Sequence, residues 1–381
     1  MRRRPCQICG SEEVHALDLI RFVKIVGLDM TYSLGQCSHC GFDFAYALAD
    51  SEQFKGYYTQ ASKYDFQVEI SELESLRSRL ALSFLMESGV DPTWRVLDIG
   101  CGPGVFLSTL RDAGFANIRG IDPAPKAAIS GAKYFNLDCI SRGDINSLAA
   151  LNRVECVSML AVLEHLPDLK VDFSSLLNRM CKGTYILIEV PALDLFDGKD
   201  GEPFGELSIE HINFFSSKSL KNFLESVGCE VLNQKVVALP SLASGSLFML
   251  AVWTGKQKKP SQLRSSNFMG QYLQDCAERW RQAAKLVPNE PFILYGAGSH
   301  SARLLAGLSS QARQLIVAVV DSNINLQGKS FGVWTVERPE CLGSYPGIPV
   351  LISSYRARNA IGSFLKREYP ENPTVAMYET N

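Results

Sequence analysis

The sequence has no apolar run of about 18 or more residues, so it offers no candidate transmembrane helix. It lacks an excess of either charge: 38 Lys and Arg against 40 Asp and Glu leave a net charge of −2. No basic field exists to hold a nucleic-acid backbone. The first residues lack the apolar core of a secretory signal, and Arg2-Arg3-Arg4 reads as an exposed terminus. Histidine is scarce, with five among 381 residues, which narrows the search for a side chain that titrates near neutrality. Eleven cysteines are present, but disulfide scaffolds belong to small secreted domains and not to a chain of this length. A reducing cytoplasm is the expected location.

What is there has ordinary globular composition, 46% hydrophobic and 20% charged, in a chain too long for one core. Two cysteine pairs, "CQIC" and "CSHC", occupy the first block. From about residue 65 to 89 a helical pattern ends at Gly89, and then "RVLDIG", "IRGIDP", "CISRGDI", "ECVSMLA" and "TYILIEVP" follow as short strands. Helical stretches between most of them predict βαβ units and a doubly wound parallel sheet. "CEVLNQKVVAL" and "SLFMLAVWT" are joined by a short connector and predict an antiparallel pair. The polar stretch 255–267 reads as a linker to a second, smaller α/β unit. The expected division is a metal-binding module over 1–62, a main Rossmann-like domain over 63–255 and a C-terminal Rossmann-like domain over 256–381.

Cys6, Cys9, Cys37 and Cys40 form two C-x2-C turns, with Gly10 and Gly41 directly after them. Each such turn points two thiolates at one tetrahedral ion, and four thiolates close the shell. Structural zinc is the expected occupant, over reduced core thiols. A closed shell has no position left for a substrate.

"VLDIGCGPG" (96–104) is a strand running into a glycine turn with Gly100, Gly102 and Gly104. The spacing differs from the dinucleotide fingerprint G-x-G-x-x-G, and the turn lacks the lysine of a phosphate-binding loop. Asp98 sits near the end of that strand, Asp122 ends the next one and Asp144 ends the third. A carboxylate at Asp98 would repel a pyrophosphate but suits a cationic amino acid. Asp122 is placed for the hydroxyls of a ribose and Asp144 for the amine of an adenine. Strand ends on one side of such a sheet line a single crevice. The three acids together describe S-adenosylmethionine.

The spacing resembles the class I methyltransferases, and the two late strands fit that family's antiparallel seventh strand. The resemblance extends the cofactor contacts to Cys101, Pro123, Ile145 and Leu160. It places "SMLAVLEHLPD" over the adenosyl group, with Glu164 and His165 in the following loop as pocket structure. Methyl transfer usually needs a base near the acceptor. His15 reads as surface, His39 belongs to the second cysteine turn and His300 follows another glycine turn, which leaves His211 in "SIEHINFFSSKSL".

Four thiolates up front, the cofactor fold, the "EH…FFS" segment and a C-terminal glycine-turn domain resemble the zinc-containing deoxysugar C-methyltransferases over nearly the whole chain. That resemblance implies a nucleotide-linked keto-sugar as acceptor, His211 as general base with Glu210 beside it, and a site tyrosine, of which Tyr64 stands nearer the helix than Tyr58. The family's tyrosine two residues before the glutamate is Ser208 here. "SIEHINFF" also occurs in methyltransferases with other acceptors, so O-methylation of another secondary metabolite or glycan stays open. The turn "ILYGAGSH" with Gly296, Gly298 and Asp321 keeps a nicotinamide oxidoreductase as the reading from a different class. Expected partners are a small-molecule substrate, without nucleic acid or membrane, for a monomer or homodimer.

Overall fold

In the computed structural model, residues 1–50, 52–54, 56, 72–149, 151, 153–239, 245–262 and 267–378 are described. Strands β1 (Arg2–Arg3), β2 (Val14–Ile20), β3 (Tyr32–Cys37) and β4 (Asp43–Leu48) form a first, antiparallel sheet in the order β1-β4-β3-β2. Helix α1 (Glu72–Glu87) then leads into β5 (Arg95–Ile99), α2 (Val105–Asp112), β6 (Asn117–Asp122), α3 (Ala127–Phe135) and β7 (Ile140–Arg142). The alternation continues with β8 (Cys156–Leu160), α4 (Leu169–Leu177) and β9 (Tyr185–Ala192).

Past β9 a long irregular segment ends in β10 (Asn213–Phe214), which pairs with β4 of the first sheet. Ser216 then starts α5 (Ser217–Ser226) with a capping box in which it and Ser219 satisfy each other's backbone N–H. The hairpin β11 (Cys229–Ala238) and β12 (Gly245–Trp253) completes a second sheet in the order β11-β12-β9-β8-β5-β6-β7. β5 to β9 are parallel in that sheet, and β12 is antiparallel to both neighbours. β5, β8 and β12 are apolar and almost wholly buried, as strands covered on both faces must be, whereas the edge strand β11 is largely exposed.

Beyond α6 (Phe268–Ala284), β13 (Phe292–Tyr295), α7 (Ser299–Gly307), α8 (Ser310–Gln314) and β14 (Ile316–Val320) begin a third sheet. β15 (Ser330–Phe331), β16 (Trp334–Glu337), β17 (Val350–Ile352), α9 (Arg358–Glu368) and β18 (Thr374–Ala376) complete it. Its order is β15-β16-β14-β13-β17-β18, parallel except at β15. The protein is thus α/β with two parallel-rich sheets, the larger a Rossmann-like, doubly wound one. Among the described residues no helix is long and apolar enough to cross a membrane.

Two cores bind the first sheet to the others. Phe22, Tyr32 and Leu34 pack with Phe292, Leu304 and Val319 of the third sheet's layer. Ile8, Phe42 and Phe44 pack with Val157, Ile186, Phe215 and Phe223 of the second.

Candidate functional site

The turn after β5 is shaped by three glycines in the left-handed region, with φ of +73°, +52° and +90° at Gly100, Gly102 and Gly104. Side chains rarely adopt that backbone. A Cβ on Gly100 would lie 2.6 Å from Val162 Cγ2, and one on Gly104 2.6 Å from Leu137 Cδ1. The segment after β8 therefore lies directly over the turn. Ala161, within it, itself holds a left-handed φ of +54°.

Two acids meet this turn from buried positions. Asp98 accepts a hydrogen bond from Ser158 Oγ at 2.6 Å. Burial pushes its carboxyl up to about 7, against that hydrogen bond and with help from the Asp122 charge. Asp122 accepts from Gly102 N and Ala124 N, both at 2.8 Å, so it ties the glycine turn to the end of β6. Burial raises its pKa while those two N–H groups oppose the shift. Asp144 is exposed, and its Oδ1 accepts from Asn146 N and Ser147 N of its own turn. Cys101 and Ile145 are buried beside the turn and the third strand end, and Leu160 is half-buried at the end of β8. Pro123 follows Asp122 directly and is exposed.

The two Glu-His pairs, distant in sequence, come together. His165 Nδ1 lies 3.1 Å from the carbonyl of Glu210. The His165 and His211 rings sit edge to face with centroids 5.0 Å apart. Ile212 N donates to the Glu164 carbonyl at 2.9 Å, and Glu164 is buried. Ser208 Oγ accepts from Glu210 N at 3.3 Å and His211 N at 3.1 Å and so caps this turn. Tyr64 and Tyr58 lie outside the described residues.

Arg4 corrects the reading of the N-terminal arginine run as exposed. Arg2 and Arg3 are exposed, but Arg4 is only 5% exposed. Its guanidinium donates to the carbonyls of Ala45 at 2.7 Å, Pro167 at 2.8 Å and Ile212 at 2.7 Å, and to Asn213 Oδ1 at 2.8 Å. Asn213 Nδ2 in turn donates to the carbonyls of Leu163 and Leu166. Both Glu-His loops are thereby strapped to the first sheet. A run of three arginines carries no sign of which one turns inward.

No disulfide links any of the eleven cysteines. The Sγ atoms of Cys6, Cys9, Cys37 and Cys40 lie within 4.8 Å of one another, with Cys6–Cys40 and Cys9–Cys37 both at 3.5 Å. Tetrahedral zinc with bonds of about 2.3 Å needs sulfur separations of about 3.8 Å, so the donor set and its spacing fit such an ion. Gly10 and Gly41 adopt φ of +78° and +69°, each donating its N–H to the carbonyl of the first cysteine of its pair at 2.9 Å. His39 and His15 are exposed.

At the second glycine turn, Gly296 has φ +114° and Asp321 accepts from Ala297 N at 2.7 Å and from Asn323 N at 2.7 Å. His300 is buried between Ser353 Oγ at 3.0 Å and Tyr378 OH at 2.7 Å, and burial, aided by the Arg303 charge, lowers its pKa to about 3. Segment 198–207 is clamped by the same unit. Arg279 donates to the carbonyl of Gly198 at 3.0 Å, Tyr355 OH to that of Asp200 at 2.8 Å, and Arg303 to that of Leu207. Arg303 also lies against the rings of Phe22 and Phe204.

Sequence reasoning passed over Ser158, Arg4 and the convergence of the Glu-His pairs. The repeated dipeptide was the one available signal for the last.

Residues 62–234 match the family model described as a methyltransferase domain. Two ubiquinone biosynthesis O-methyltransferases of Neisseria meningitidis, from serogroups C and A, are each 30% identical to this chain over 82 residues. Those alignments cover 19% of this chain and 34% of each relative, so the chain spans about a third of the curated relatives' length. Among solved structures, magnesium protoporphyrin IX methyltransferase of Synechocystis PCC 6803 is 16% identical with a TM-score of 0.40, over 55% of this chain and 99% of that one. The 1,6-didemethyltoxoflavin-N1-methyltransferase of Burkholderia thailandensis is 16% identical with a TM-score of 0.41, over 56% and 96%.

Proposed function

We propose that this chain, which carries a class I S-adenosylmethionine-dependent methyltransferase domain over residues 62–234, transfers a methyl group to a small-molecule acceptor, in first place a nucleotide-linked deoxysugar. The observation that carries this reading is the meeting of Glu210-His211 with Glu164-His165 on the segment whose Val162 covers the Gly100 turn. A histidine pair beside a donor turn is where an acceptor proton can be taken up.

The glycine turn and its acids fit the donor. Gly100 and Gly104 let Val162 and Leu137 approach the turn more closely than a side chain would allow, with Cys101, Pro123, Ile145 and Leu160 around it. Asp98 is placed to hold the methionine ammonium, Asp122 the ribose hydroxyls and Asp144 the adenine amine. When bound, S-adenosylmethionine supplies an electrophilic methyl group on a sulfonium. His211 takes the proton α to the acceptor's ketone and leaves an enolate carbon as nucleophile. Glu210 stands beside it, and the resemblance to the deoxysugar C-methyltransferases gives Tyr64 a role with the acceptor. Cys6, Cys9, Cys37 and Cys40 hold a structural zinc, which organises the sheet that straps both loops. The modules are residues 1–62, 63–255 and 256–381.

The Neisseria relatives are O-methyltransferases, which favours a hydroxyl acceptor as second reading, with His211 removing the hydroxyl proton. Labelled S-adenosylmethionine is incubated with the zinc-loaded protein and panels of nucleotide-linked keto-sugars and small hydroxylated acceptors. Transfer to a member of either panel is expected, and none to any of them would sink the proposal. His211→Ala should lower turnover about 10²-fold or more with cofactor affinity retained. Exchange of the α-hydrogen in heavy water, dependent on His211, marks the carbon reading.

A further inference from the structure

Glu164, His165 and His211 each offer one ligand atom, and these atoms lie within 4.8 Å of one another. The partner of His165 Nδ1 is the Glu210 carbonyl oxygen at 3.1 Å, which can only accept. That bond assigns the ring proton to Nδ1 and leaves the lone pair of the neutral ring on Nε2. Nε2 faces Glu164 Oε1 at 3.8 Å. In the neutral ring Nε2 and the carboxylate can both serve as ligands to one cation. The ligand atom of His211 converges on the same place.

We propose that Glu164, His165 and His211 form a second metal site, separate from the four thiolates, for a borderline divalent cation of the Zn²⁺ class. Two imidazoles and one carboxylate suit Zn²⁺, Co²⁺ or Ni²⁺ better than Mg²⁺ or Ca²⁺, which prefer oxygen donors. Three protein ligands leave a coordination position open. The bond from His165 Nδ1 to a backbone carbonyl is the outer arrangement that orients a ligating histidine and fixes its tautomer. The backbone of both loops is held by Ile212 N on the Glu164 carbonyl and by the Arg4 guanidinium. Bonds of about 2.0–2.2 Å draw three donors to about 3.4 Å apart, so the side chains close by roughly an ångström onto the ion. The ion also offsets the cost of keeping the Glu164 carboxylate, 2% exposed, away from water.

An ion on His211 takes the ring lone pair that would otherwise take the acceptor's proton. Occupancy and base function exclude each other, so the cation holds the enzyme inactive while bound. This consequence rests on the proposed function; the binding does not.

The test uses full-length protein whose thiolate site already holds one equivalent of zinc. Calorimetric titration with Co²⁺ should show one further equivalent, with d–d absorption and no thiolate charge-transfer band. Glu164→Gln and His165→Ala should each weaken that equivalent by more than the roughly 100-fold that loss of an outer partner can cost. Both variants should keep their first equivalent of zinc, which shows that they are folded. Absence of a second equivalent in the parent protein overturns the site, as does its persistence in both variants. In the methyl-transfer assay, Zn²⁺ or Co²⁺ should inhibit in proportion to second-site occupancy. Full occupancy with undiminished or raised turnover overturns the inhibitory role alone. A bound second equivalent in a protein that methylates nothing overturns the proposed function and leaves the metal site standing.

Discussion

Asp98 carries its charge at a cost, because the residue is 3% exposed and burial raises its carboxyl to about 7. An ordinary aspartate in the unfolded chain ionises near 3.9. Between about pH 4 and 7 the folded protein therefore holds a proton here that the unfolded chain has lost, and this group's contribution to stability falls as pH rises through that window. In the proposed role the ammonium of the cofactor needs the carboxylate. Below about pH 7 binding must first expel the proton, so cofactor affinity should fall about tenfold per pH unit as the solution is acidified, and level off above. Calorimetry with S-adenosylhomocysteine across that range checks this, with Asp98→Asn expected to bind weakly and without the slope. A slope that survives Asp98→Asn places the titration on another group. The acid itself was legible from its position before the first glycine. Its hydrogen bond from Ser158, 60 residues away in the chain, was not, because a serine in a buried strand has no distinctive pattern.

At the scale of elements, the strand–turn–helix from β5 to α2 was the most legible part of the chain. An apolar run ending in glycines permits few other structures. The short connector after β11 likewise required β12 to return antiparallel. β10 was not legible: two residues have no periodicity, and their strand exists because β4 offers a free edge to Asn213 and Phe214. The Gly100 turn gives a direct test of element fit. Gly100→Ala meets both a left-handed φ and an overlap with Val162, whereas Gly89, at φ +81°, has nothing within 4 Å of its Cβ position. Gly89→Ala should cost about 1–2 kcal/mol from backbone strain alone, and Gly100→Ala about 1–3 kcal/mol more as Val162 is displaced. Cofactor affinity should fall only in the second. Thermal unfolding and calorimetry measure the two effects, and equal losses would show that the close approach of Val162 does not matter.

For the whole molecule, the first sheet acts as the bracket between the other two. Its cysteine turns pack in the core of the large sheet, and its opposite end packs with the third. Arg4 is the polar link in that bracket: among the described residues its hydrogen-bond partners are five acceptors, none a carboxylate, drawn from the two loops, β4 and β10. Removing it takes a charge-assisted donor from those buried acceptors, although the Ile212 carbonyl keeps the Ala45 N–H, so Arg4→Ala should cost about 3–5 kcal/mol. It should also lower methyl transfer more than tenfold with cofactor affinity near that of the parent, since the Gly100 turn has its own supports. Arg4→Lys, a single charged point in place of a planar fork, should recover only part of both losses. Parent-like turnover in Arg4→Ala would mean that the loops hold their geometry without the strap.

The sequence by itself determined the alternation of parallel strands and helices in the large sheet with its late antiparallel pair, the four-cysteine cluster, and a glycine turn flanked by acids. Each of these is written in local spacing or in the period of apolar residues. Only the tertiary structure decided that Arg4 turns inward, that segment 198–207 is clamped by the C-terminal unit, and that Glu164 and His165 stand against His211. Those contacts depend on which sheet edge is left free and which backbone carbonyls lack partners, and both are settled only when distant segments pack.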